Sequence, residues 1–151
     1  MTTKTFAPTT RRSVDQILIA LIGALYAVTA IQASFFPRSF YDDFPMGRSW
    51  IATEGPAYNE HLVRDVGTLF LALVIVSVWA WWSRALVRPV AVAWIVQGTL
   101  HLVHHLRHLD GHDGVDKVGL VFTLAAAPLL AAAALTLSMR RSAAAAIPSS
   151  E

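Results

Sequence analysis

All six histidines of the chain, His61, His101, His104, His105, His108 and His112, fall within one third of its length. Carboxylates accompany them at Glu60, Asp65, Asp110, Asp113 and Asp116. Imidazole and carboxylate together are the ligand set of zinc, copper(II) and non-haem iron, and the same groups exchange protons with substrates. The chain contains no cysteine, which removes disulfides, thiolate metal sites, iron–sulfur clusters and cysteine nucleophiles. Any metal chemistry must use His, Asp or Glu.

Spacing sorts these residues into two stripes. Gln97, His101, His104 or His105, and His108 recur at steps of three and four, so a helix stacks them along one face. His61, Arg64, Asp65 and Thr68 form a second such stripe. Polar groups in hydrocarbon cost several kcal/mol unless paired, so both stripes are expected to turn inward and meet. The expected metal ligands are His61, Asp65, His101 and His105. His104 and His108 stand in reserve, because neighbours on a helix lie roughly 100° apart and His104 and His105 cannot both point straight inward. Glu60, Asp116 and Arg64 would orient imidazoles or balance charge, with Glu60 or Asp116 as catalytic acid or base, and Arg64 and Gln97 would contact a cofactor.

Plainer readings compete at several positions. Histidine sits unliganded at membrane interfaces, so His108 and His112 read as interfacial or loop residues, His112 in a Gly-rich turn open to water. Glu60 and Arg64 form an (i, i+4) pair after an Asn59 cap, and Asp113 and Asp116 look like the N-cap and N3 of a helix. Asp110-Gly111-His112-Asp113-Gly114 does not match a calcium loop. The whole cluster could also be a hydrogen-bonded polar plug.

The elements that must position these groups are membrane spans. Of the 151 residues 55% are hydrophobic and only 15% are charged, the charges leaving long uncharged gaps. Four apolar stretches result: Ile17 to Phe36, Val66 to Ser83, a third built on Val90 to Leu100, and Val118 to Met139. Each must be helical, since a lone strand in lipid leaves its backbone groups unpaired. The third run is too short to cross a hydrocarbon core of about 30 Å unless the helix extends from near Leu86 to His105, which draws the histidines into the membrane. Pro128 predicts a kink in span four. The fold class is therefore all-α, a four-transmembrane-helix antiparallel bundle over 1–141, with a flexible tail at 142–151. A long extracytoplasmic loop, Pro37 to Asn59, is expected to lie flat at the headgroup level, its Phe40, Tyr41, Phe44, Trp50 and Tyr58 serving as an aromatic belt or as a lid over the cluster.

Lys4, Arg11, Arg12, Arg84, Arg88, Arg140 and Arg141 fall on one side of such a bundle, which predicts a plasma-membrane protein with both termini cytoplasmic. The net charge of +2 thus reports topology, and no nucleic-acid partner is implied.

Two resemblances add to this reading. His101-Leu102-Val103-His104-His105 resembles the HxxHH histidine box of membrane di-iron desaturases and hydroxylases, which implies metal ligation by those histidines. Four short spans, a first outer loop containing Phe40-Tyr41-Asp42-Asp43-Phe44-Pro45, and the run Tyr58-Asn59-Glu60-His61-Leu62-Val63-Arg64-Asp65-Val66-Gly67 resemble small bacterial four-helix membrane proteins, broadly DoxX-like. That likeness implies an architecture and no particular chemistry.

Three functions follow as expectations. The first is a metal-dependent oxidoreductase holding Fe, Cu or Zn and acting on a lipid-soluble or periplasmic substrate. The second is a haem-binding electron-transfer bundle with His61 and a span-three histidine as axial ligands and Arg64 or Arg107 at a propionate. The third is a non-catalytic accessory or metal-delivery subunit, as a homo-oligomer or within a larger membrane complex. A channel is disfavoured, because the inner halves of the spans offer almost no polar groups to line a path.

Overall fold

The computed structural model describes residues 12–146, so Lys4, Arg11 and the tail residues 147–151 lie outside the described residues. Six α-helices run in chain order: α1 (Val14–Phe35), α2 (Pro37–Asp43), α3 (Trp50–Thr53), α4 (Glu60–Ala80), α5 (Val87–Leu106) and α6 (Gly114–Ala145). A 3-10 turn at Arg84–Leu86 leads into α5. There is no strand among the described residues. Helices α1, α4, α5 with its leading turn, and α6 are each long and apolar enough to cross a membrane. Their outward faces carry large apolar side chains such as Val28, Ile75, Val96, Phe122 and Leu129, a surface suited to lipid.

The expected caps start these helices. Asn59 Oδ1 accepts from the Leu62 N–H at 3.2 Å, and Asp113 Oδ1 from the Asp116 N–H at 2.8 Å. Helix α6 runs to Ala145, so residues 142–145, expected in the tail, are helical, each residue added to an existing helix gaining a backbone bond.

Small residues set the packing of α1 on α4. A Cβ added at Gly67 would lie 2.5 Å from the Ser34 amide nitrogen, and one at Gly23 would lie 3.0 Å from Ser77 Cβ. Low numbers on α1 meet high numbers on α4, from Gln16, which donates to the Ala80 and Trp81 carbonyls, to Ser34, whose carbonyl accepts from Arg64 at 2.6 Å. Helix α5 packs chiefly on α6, where Gly98 admits the ring of Pro128, and it meets α4 more sparsely. The core joins these pairs around Trp94, whose indole N–H donates to Ser77 Oγ at 2.8 Å. Tyr26 and Phe70 stack beside it. At the end where the chain enters α1, buried Asp15 receives a two-pronged hydrogen bond from Arg141.

The segment between α1 and α4 differs from the flat loop expected. It coils into α2 and α3 and folds back on the bundle, burying Phe40, because a surface rich in aromatic side chains gains more by covering an apolar recess than by lying exposed.

Candidate functional site

The recess under α2 and α3 is a cavity of about 850 Å³ in the half of the bundle that contains the histidines. All four long helices contribute to its wall, which is mostly apolar: Leu25 from α1, Leu69 and Phe70 from α4, Leu120 and Leu124 from α6. Its polar groups are Gln97, His101, His104 and His105 from α5, Tyr26 and Thr29 from α1, Asp116 and Thr123 from α6, and Tyr41, Arg48, Trp50 and Asn59 from the segment between α1 and α4. Helical steps of three and four put Gln97, His101 and His104 or His105 on this wall, as the spacing predicts. Three buried polar atoms on its lining residues have no hydrogen-bond partner: Gln97 Oε1, the Tyr26 hydroxyl and Trp50 Nε1.

Beside the cavity, His105 Nδ1 is 2.5 Å from Glu54 Oε1, and His112 Nε2 is 3.5 Å from the same oxygen. Side-chain exposure is 10% for Glu54 and for His105 and 1% for His112. His101 packs edge-on against His105, with ring centres 4.6 Å apart, and against Phe70. The His104 and His108 rings pack against each other tilted by 32°, and His108 Nδ1 lies 2.8 Å from the His104 carbonyl. His108 stands exposed at the helix end.

The second stripe does not join this cluster. His61 and Asp65 pair with each other at 3.3 Å, 88% and 57% exposed, and neither lines the cavity. The cause is the close fit at Gly67, which fixes the rotation of α4 against α1. At about 100° per residue His61 and Asp65 then lie roughly 120° and 160° from that contact, while Arg64 falls close enough to reach the Ser34 carbonyl. Glu60 is likewise outside, bonded to Arg64 at 2.8 Å in the plain (i, i+4) pair. Among the described residues no group of three or more His, Asp or Glu side chains converges with metal-holding geometry.

Comparison with protein-family models, curated proteins and solved structures finds no match.

Two residues central to the cluster were misjudged or overlooked in the sequence. His112, expected to be open to water, is buried, because Gly111 presses against Thr53 and folds the turn under α3 beside Trp50. Glu54 is one acid in an aromatic loop, with no motif or helical spacing to mark it. The available signal was its isolation, the single carboxylate between Trp50 and Tyr58. The segment between α1 and α4 is strapped to the bundle twice, by Glu54 on α5 and its following turn and by Arg48 on Asp116. It is also braced internally: the Tyr41 hydroxyl donates to the Pro56 carbonyl at 2.5 Å, and Arg38 lies over the Tyr58 ring. The hydrogen bond to Asp42 holds the Arg38 guanidinium above its usual range.

Proposed function

We propose that this is a multi-pass plasma-membrane protein, an antiparallel bundle with both termini cytoplasmic, that binds a lipid-soluble ligand in its outer cavity. The observation that carries the reading is the pairing of an apolar wall with two of its buried, unpartnered polar atoms, Gln97 Oε1 and the Tyr26 hydroxyl. Leaving such an atom unsatisfied costs about 1 to 3 kcal/mol, which a ligand hydroxyl or phenol would recover while its hydrocarbon body fills the cavity. His101, with the Glu54–His105 pair behind it, can accept or return a proton at the ligand head, the step an oxidoreductase or hydrolase would use. The Pro37 to Asn59 segment acts as the lid.

Binding of para-nonylphenol, an apolar chain with one hydroxyl, to detergent-purified protein tests this through tryptophan fluorescence. Saturable binding is expected, weakened about tenfold in Gln97→Leu, since one hydrogen bond is worth roughly 1.4 kcal/mol. Absence of saturation, or equal affinity in Gln97→Leu, would refute the reading.

A second reading retains the metal on a different ligand set. It rests on His112 Nε2, buried without a hydrogen bond beside the Glu54 carboxylate. These side chains do not converge as they stand, so zinc, copper or iron would have to draw Glu54, His105 and His112 together, using that nitrogen. Elemental analysis of wild type and His112→Ala separates the readings, since only a metal centre predicts stoichiometric metal lost with His112.

A further inference from the structure

The opposite end of the bundle holds a second recess, of about 370 Å³, lined by Arg84, Ala85, Arg88, Ser138, Arg141 and Ser142. Three guanidinium groups in one small recess require an explanation, because like charges repel and each is costly to desolvate. Asp15 neutralises only Arg141. Arg88 is held by neutral partners: its Nε donates to Ser138 Oγ at 3.1 Å, and one terminal nitrogen donates to the Ser138 carbonyl at 3.0 Å and Ser142 Oγ at 2.5 Å. The Arg84 side chain makes no hydrogen bond or ion pair among the described residues. The recess therefore keeps the charges of Arg84 and Arg88. It also keeps spare donors, since a guanidinium carries five N–H groups and Arg88 leaves its other terminal nitrogen unused.

Position sets the anion. The recess lies where the α4–α5 connection meets α6, and Trp79 and Trp82, just before Arg84 in the chain, are exposed as side chains at a headgroup layer are. Arg88 and Arg141 are already held in place, so an oxyanion finds donors whose side-chain entropy is largely spent. We infer that Arg84, Arg88 and Arg141 form a binding site for a phosphate group, supplied by the headgroup of an anionic phospholipid in the cytoplasmic leaflet or by a soluble phosphate.

The test is thermal unfolding of the delipidated full chain in dodecyl maltoside, titrated with dioleoyl phosphatidylglycerol, dioleoyl phosphatidylcholine or inorganic phosphate. Phosphatidylglycerol should raise the midpoint saturably and phosphatidylcholine should not. Arg84→Gln, which breaks no hydrogen bond, should shift half-saturation upward about fivefold, from roughly 1 kcal/mol per basic residue at an anionic surface. Arg140→Gln, an exposed neighbour outside the recess, should leave it unchanged. If inorganic phosphate saturates the same Arg84-dependent effect and phosphatidylglycerol adds nothing, the site stands and its source is soluble. Equal stabilisation by both lipids with no response to phosphate, no stabilisation by either phosphate source, or identical behaviour of Arg84→Gln and Arg140→Gln would overturn the inference.

Discussion

Replacing Glu54 probes the outer cluster most directly, because one carboxylate there holds two buried imidazoles and a segment of chain. Glu54→Ala removes a charge-assisted hydrogen bond to His105 worth about 1.5 to 3 kcal/mol. It also leaves a ring nitrogen of His105 without its partner, in surroundings where an unsatisfied polar group costs about 1 to 3 kcal/mol, and removes the carboxylate 3.5 Å from His112 Nε2. Water entering through the loosened lid recovers part of this, so a net loss of about 3 to 5 kcal/mol is expected, the usual cost of breaking a buried pair. Glu54→Gln keeps the volume and one acceptor and should lose less, about 1 to 2 kcal/mol. The assay is reversible unfolding in mixed detergent and SDS micelles, followed by amide exchange across Trp50–Thr53, which should lose protection in the Ala variant while α4 keeps its own. His61→Ala, removing an exposed pair on the far side of α4, should change stability by less than about 0.5 kcal/mol. A Glu54→Ala protein as stable as His61→Ala, with α3 still protected, would show that the buried contact does not hold the lid.

Gly67→Val should destabilise the α1–α4 pair by at least about 3 kcal/mol, since its Cβ would meet the backbone of Ala33 and Ser34 and no side-chain rotation relieves that; unfolding in SDS micelles reads the loss. For topology, cysteines are placed singly at Met46, 95% exposed, and at Ala85. An impermeant thiol reagent should label position 46 and not position 85 in intact cells, and the reverse pattern would invert the orientation.

How the residues share the work explains what was legible. Membrane helices announce themselves by length and apolar content, so the four spans and the extension of the third through its histidines could be read directly, as could the Asn59 and Asp113 caps and the Glu60–Arg64 pair. These are local effects, set by neighbours within one helical turn. Periodicity also placed Gln97, His101 and His104 or His105 on one face of α5. It could not decide which helix that face meets, because a stripe fixes angles within a helix and says nothing of the rotation between helices.

Rotation was decided by packing over long sequence distances. Gly67 against Ser34 turned His61 and Asp65 away from α5, and Gly98 against Pro128 seated α5 on α6. The fold-back of α2 and α3 then brought Glu54 to His105 and His112, residues 51 and 58 positions away, and closed a cavity over the α5 histidines. By itself the sequence determined the four membrane-length helices and the capping of α4 and α6, because hydrophobicity and backbone hydrogen bonding act within each segment. Only the tertiary structure decided which polar groups share a site, because that depends on where the chain has no side chain to keep two backbones apart.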